Sequence, residues 1–275
     1  MRVNVPKDKG LDHSLALWRE GYEFIPNRVQ KHHFDVYETK VLGERTALLS
    51  GEAGARLFYN TNRMQRSGAL LPNFVLKTLF GENAIQTMDD TAHEHRKLLF
   101  MSLMTAEALE RLSEITTKHW EDFTAKGKKD IVLYEEASKI LTRTACEWAG
   151  VPILEKEVPM RTRDFLLMID GFGVLGLKHL ESRRARSRTE KWIERLILDV
   201  RAGKLQVEKG TAIYEMSSHR DHQNKLLNPR MAAIELNSLI QCARPSRSQN
   251  LLHLVRQHWK NTRKLKPAFL RETKS

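Results

Sequence analysis

Apolar residues recur at helical spacing over most of this chain, and that periodicity limits the possible folds more than any other feature. Between Thr91 and Leu236, residues such as Leu109, Leu112 and Ile115 follow one another three or four positions apart. This spacing predicts amphipathic helices, which pack on one another to bury their apolar faces. We expect helices over 91–104, from 105 to about 125, over 134–149, 155–169 and 179–202, and from Asn228-Pro229 onwards.

Alternating, strand-like patterns are shorter and fewer. Residues 36–41 and 46–49 alternate in side-chain character around Gly43-Glu44, which predicts a β-hairpin. One further short strand is predicted over 130–133. Short helical segments are expected near the N-terminus, where Pro26 should end the first, and over 50–59 with Ser50 as N-cap. The predicted fold class is therefore mainly α with a small β-sheet.

The composition is that of an ordinary globular protein. Hydrophobic residues make up 41% of the chain and charged residues 29%, and no apolar run approaches the length of a transmembrane helix. The N-terminus lacks the apolar core of a secretory signal. Two cysteines, Cys146 and Cys242, are too few for a disulfide framework or a four-cysteine zinc site. We therefore expect a cytoplasmic protein without a membrane span.

Positive charge is concentrated at the C-terminus. The net charge is +12, but residues 237–275 hold nine basic residues and one acidic residue, whereas residues 1–236 hold 37 and 33. Two interpretations explain this uneven charge. In one, the chain is a small non-enzymatic protein whose tail binds nucleic acid or an anionic membrane. In the other, residues 1–236 form a domain and residues 237–275 are a basic tail that is not native to the fold.

Two groups of polar residues could carry chemistry. His93 and Lys97 are spaced i and i+4, so they share a helix face that could bind a carboxylate or phosphate; a solvated charged face is the alternative. The arginines of 183–188 could form a nucleic-acid patch or a solvated helix start. Cys146 lies on an apolar helix face, which predicts a core residue. Because the common nucleotide-binding, hydrolase and zinc motifs are absent, spacing alone names no function.

Seven segments, taken in order, resemble the N-terminal part of a cytochrome P450. More narrowly, they resemble the fatty-acid peroxygenase branch of that superfamily, which includes hydroxylases and monooxygenases. No single motif is decisive, but seven in register across residues 10–236 are specific. The segments are 12–25, 66–72, 79–89, 92–100, 146–152, 183–186 and 231–236.

The resemblance implies a haem protein that hydroxylates long-chain fatty acids with hydrogen peroxide. Haem b (heme b) would lie between helices, with His93 and Lys97 facing a propionate and Arg66 beside them. Phe80 and Gln86 would line the fatty-acid pocket, although simple core packing remains the alternative for Phe80. A decarboxylating relative has histidine at the position of Gln86, so the neutral amide favours hydroxylation. Nucleic acid is not an expected partner of this family.

One departure from the family affects activity. The axial ligand of the haem iron is a cysteine in a Phe-x-x-Gly-x-x-x-Cys-x-Gly loop, and neither this loop nor the later Glu-x-x-Arg helix occurs in its expected place. We therefore expect a truncated P450 fold that is inactive as a 275-residue chain. The tail suggests a cause, since shifting the reading frame over 258–263 permits Ala-Leu-Glu-Glu-His-Pro, as in the family. We infer a frameshift or missed splice site near Asn237.

Overall fold

The computed structural model describes residues 5–65, 80–81, 83–127, 131–171 and 177–243, and all structural statements concern these residues. They fall into two compact units. The first unit comprises the described residues up to 65 together with Thr87–Asp90. The second unit comprises the remaining described residues and contains most of the helices.

The first unit combines three short helices with a hairpin. Strands β1 and β2 pair antiparallel, with Val36 opposite Leu49 and Val41 opposite Glu44. Leu42 and Gly43 both have positive φ, as a two-residue hairpin turn requires, so the predicted hairpin is confirmed. The elements are α1 (Ser14–Glu20), α2 (Phe24–His32), β1 (Val36–Val41), β2 (Glu44–Leu49) and α3 (Gly51–Phe58).

The prediction that Pro26 ends the first helical segment is wrong. Pro26 lies in the first turn of α2, which begins at Phe24. The backbone N–H groups of a first turn have no partner within the helix, so a proline there removes no hydrogen bond. Pro26 therefore lies at the start of a helix and does not end one.

Seven helices make up the described part of the second unit. Most follow the predicted boundaries, and Thr105 and Asn228 act as N-caps through their side-chain oxygens. These helices are α4 (Asp90–Leu103), α5 (Ala106–Ala125), α6 (Leu133–Trp148), α7 (Val158–Asp170), α8 (Leu177–Arg201), α9 (Ala212–Ser218) and α10 (Pro229–Cys242).

The core of the second unit lies around α8. This helix packs against α7 and α10, while α5 packs against α6. Fully buried apolar side chains from three helices meet there: Phe165, Ile193, Ile197, Leu236 and Leu239. The predicted mainly α fold with a small sheet is therefore confirmed. Among the described helices, none is long and apolar enough to cross a bilayer.

One local prediction in this unit is wrong, and one short helix was not predicted. Residues 131–132 are not in a strand and Leu133 begins α6, because a strand needs a partner and no described segment pairs with this one; residue 130 lies outside the described residues. The polar segment 203–229 contains the short helix α9, whose Ile213 and Met216 are fully buried. Tertiary burial of these two side chains outweighs the polar surroundings.

Helix α10 continues beyond Leu236, where the composition changes. Leu239 and Ile240 follow at helical spacing and are fully buried, and Asn237 is buried as well. The Asn237 amide donates toward the Met168 sulfur, and its carbonyl oxygen accepts from the Gln241 amide at 3.2 Å. Residues 237–242 therefore pack as helix, while the boundary at 236 stays a prediction.

Candidate functional site

Helix α4 carries His93 and Lys97, which are predicted to bind the cofactor, and also a buried arginine, Arg96. His93 is half-buried and Lys97 is exposed, one turn apart on the helix. Arg96 lies between them in sequence but is buried, on the same side of the helix as Leu99 and Leu103. The third predicted member, Arg66, lies outside the described residues.

A buried carboxylate on α10 joins α4 to the predicted substrate segment. Glu235 is 0% exposed, and its Oε1 accepts hydrogen bonds from Arg96 Nη1 at 2.6 Å and from the Ile85 backbone N–H at 3.0 Å. Burial raises the pKa of Glu235 to about 7, and the charge of Arg96 opposes part of that rise. Its second oxygen, Oε2, has no hydrogen-bond partner among the described residues.

The segment that carries Phe80 and Gln86 contacts α10 at Gly81 as well as at Ile85. Gly81 has φ +91°, and a Cβ there would lie 2.7 Å from Ile234 Cγ2 and 3.1 Å from Glu190 Oε1. Phe80 itself is half-buried and Gln86 is exposed. The structure therefore places both predicted pocket residues on one segment, held against α10 at Gly81 and Ile85.

Replacing Gly81 by alanine should destabilise the second unit. The positive φ costs about 1 kcal/mol for an L-residue, and overpacking against Ile234 adds about 1–3 kcal/mol. Gly127→Ala is the matched control, because Gly127 also has positive φ (+57°) but a Cβ there meets nothing within 4 Å. Urea unfolding followed by circular dichroism measures the difference. Equal losses for the two variants would contradict the close approach of Gly81 to α10.

Sequence reasoning missed both Arg96 and Glu235. Arg96 lies in the polar run 93–97, where only His93 and Lys97 are predicted to share a face, and nothing in its sequence neighbours indicates that it is buried. Glu235 is the single acid in the apolar run 231–236. A lone acid in an apolar helix segment is a signal of a buried partner, since an unpaired charge is costly there.

Two histidines lie beside this group. The rings of His95 and His219 are 5.0 Å apart, and burial, with His95 and Arg96 nearby, lowers the pKa of His219 to about 4. His219 is therefore neutral near pH 7. In the described ranges, no group of three or more His, Cys, Asp or Glu residues is arranged to hold a metal ion.

The other sequence candidates belong to the structural framework. Arg186 pairs with Glu190 at 3.0 Å inside the unit, and Arg188 pairs with buried Asp164. Two of the four arginines in 183–188 thus pair with carboxylates, and Arg186 is buried inside α8, so the expectation of a solvated helix start is wrong for this residue. Cys146 is fully buried in α6, confirming the predicted core position, while Cys242 is exposed at the end of α10.

A separate surface cleft of about 410 Å³ lies in the second unit. Its lining includes polar and charged side chains that already contact each other: His119 Nε2 lies 2.8 Å from Glu147 Oε2, and Arg143 pairs with Glu155 at 2.9 Å. Side chains that satisfy each other in this way leave little capacity to orient a ligand. Among the described residues that line the cleft, none is one that the sequence singled out for binding.

Comparison with solved structures shows close similarity to cytochromes P450. Cytochrome P450EX alpha, with myristic acid, is 40% identical and superposes with a TM-score of 0.83 over 88% of this chain. A variant of cytochrome P450SP alpha is 37% identical, with a TM-score of 0.80 over 85% of the chain. Ligand-free cytochrome P450 OleT is 33% identical, with a TM-score of 0.83 over 87%. The chain spans 58% of the length of each.

A comparison of sequences alone gives a match of lower identity. The beta-amyrin 28-monooxygenase of Vitis vinifera is 29% identical over 129 residues, which are 45% of this chain and 26% of that protein. No protein-family model matches. The resemblance to the cytochrome P450 superfamily and its fatty-acid peroxygenase branch, inferred from seven segments, is confirmed, and the fold is that of part of a P450.

Proposed function

We propose that residues 1–236 of this P450-like chain are the N-terminal portion of a haem-thiolate enzyme that hydroxylates long-chain fatty acids with hydrogen peroxide. The observation that supports it most is the 40% identity and TM-score of 0.83 with P450EX alpha, whose structure contains myristic acid. A variant of P450 OleT, 32% identical to this chain, is in complex with arachidonic acid. Two relatives of this similarity thus bind a fatty acid.

The chain's own residues have defined parts in this proposal. His93 and Lys97 would bind a haem propionate together with Arg66, since two cations one helical turn apart suit a carboxylate. Phe80 and Gln86 would line the fatty-acid pocket. The Gln86 amide neither gives nor accepts a proton at neutral pH, which favours hydroxylation over loss of the carboxyl group.

The described residues fit one edge of the haem and not its axial position. The α4 cations suit the propionates, whereas Cys146 is enclosed in the core and Cys242 ends α10. Haem, when bound, supplies the oxidising chemistry of this family through a thiolate-ligated iron. Because no cysteine of the described residues lies in a loop that could aim at iron, no catalytic step is assigned to these 275 residues alone.

A chimera tests the proposed function. Residues 1–236 are joined to the corresponding C-terminal remainder of P450EX alpha, and myristic acid and hydrogen peroxide are supplied. We expect thiolate-ligated haem and hydroxylated myristic acid, and a Gln86→His variant should shift the product toward loss of the carboxyl group. The His93→Ala/Lys97→Ala double variant should lower haem occupancy at least tenfold. Thiolate-ligated haem without any oxidised fatty acid would contradict the proposal.

The basic tail has its own explanation and its own test. We propose that the sequence from about Asn237 is encoded out of frame, although the first six residues still pack as helix α10. Genomic DNA downstream should then encode, in another frame, a Glu-x-x-Arg helix and a haem-cysteine loop. Sequencing the next several hundred bases and the transcript across codons 236–240 decides it. Finding neither motif would refute the frameshift.

A further inference from the structure

We propose that Glu235 is a positioning residue that fixes the segment 80–86 by accepting the Ile85 backbone N–H, and that it ties this segment to helix α4 through Arg96. One carboxylate oxygen serves both partners, at 3.0 Å and 2.6 Å. The partners are distant in sequence, 150 and 139 residues from Glu235. Glu235 therefore connects α10, α4 and the segment 80–86, which no local sequence signal brings together.

Packing of α10 alone does not account for a carboxylate at this position. An apolar side chain of similar volume would fill the site without the cost of desolvating a charge. It would, however, leave two buried donors, the Ile85 N–H and the Arg96 guanidinium, without an acceptor. The property that distinguishes Glu235 from leucine here is therefore the hydrogen-bond acceptor and not the volume.

A neighbouring contact restricts the same segment. Ile234, next to Glu235 on α10, lies against the backbone of Gly81, and Ile85 is itself buried. The segment is thus attached to α10 near both ends, with Phe80 and Gln86 beside the two attachments. The consequence for ligand binding, that Glu235 sets the positions of Phe80 and Gln86, rests on the proposed function; the attachment itself does not.

Two double variants separate this role from ordinary packing. Arg96→Met/Glu235→Leu and Arg96→Met/Glu235→Gln both remove the buried ion pair and keep the volume, but only the glutamine variant retains an acceptor for the Ile85 N–H. Amide hydrogen exchange of the 275-residue chain is measured at pH 7. We expect residues 83–86 to exchange at least tenfold faster in the leucine variant, with equal rates in α7 and α8.

The controls give every outcome a meaning. Asp164→Asn breaks another buried charge contact, that with Arg188, and should not affect residues 83–86 selectively. Equal exchange of 83–86 in the two double variants would show that Glu235 acts only through packing or charge and would overturn the proposal.

Should the variants fail to fold, a measurement on the unaltered chain tests the attachment instead. We expect the Ile85 amide to exchange at least a hundredfold slower than in an unfolded peptide, and exchange at the unfolded rate would refute the attachment. Since haem and fatty acid are absent from the measurement, its failure leaves the proposed function to be judged separately.

Discussion

Mixed with haemin and reduced under carbon monoxide, the 275-residue chain is expected to lack the Soret shift that marks thiolate ligation. Such ligation needs a deprotonated cysteine aimed at iron from a loop shielded from water. Cys146 cannot turn toward a haem without unfolding α6, because it is fully buried in the core of the second unit. Cys242 is exposed at the end of α10, where the described chain provides no loop to shield it.

The same chain should leave fatty acids unchanged when peroxide is added. In the proposed function, His93 and Lys97 would contact only the periphery of a haem and could not replace the bond to iron. P450EX alpha serves as the positive control for both the spectrum and the product. A Soret shift that Cys242→Ser abolishes and Cys146→Ser does not would contradict this expectation and would identify Cys242 as a recruited ligand.

Replacing Arg96 by methionine should destabilise the second unit more than any other single substitution considered. Without Arg96, Glu235 loses the cation that lowers its pKa, so it must either stay buried as an unpaired charge or take up a proton; breaking a buried pair from one side costs about 3–5 kcal/mol. That is a large part of the total stability of an ordinary domain, about 5–15 kcal/mol. Urea unfolding at pH 8 is the measurement, because the carboxyl is ionised in the unfolded chain at this pH and the variant then bears the cost of either burying or protonating it.

Two comparisons distinguish a buried pair from a surface pair. Arg111→Met breaks the ion pair with Glu208, whose partners are both exposed, and should cost at most about 1 kcal/mol. Arg96→Met/Glu235→Leu removes both charges and should recover stability to within about 2 kcal/mol of the unaltered chain, the remainder being the lost acceptor of Ile85. Equal losses for Arg96→Met and Arg111→Met would show that the Arg96–Glu235 pair is not buried in solution.

Local signals determined most of the helices, the hairpin and two N-caps of this protein. Apolar spacing predicted α4 to α8 because a helix is defined by contacts three and four residues apart, and Thr105 and Asn228 cap their helices through neighbours two or three residues away. The seven segments revealed the resemblance to cytochromes P450, which the comparisons confirm. Local reasoning failed where the outcome depends on distant segments, as for the strand expected over 130–133, with which no described segment pairs.

Only the tertiary structure decided which polar residues meet. In the polar run at the start of α4, nothing local separates Arg96, which is buried, from Lys97, which is exposed. The packing of α4 and the Ile85 segment against α10 selects Arg96 as the partner of Glu235. The physical reason is that periodicity fixes the conformation of each segment, whereas burial, charge pairing and a shifted pKa depend on which faces of distant segments pack together.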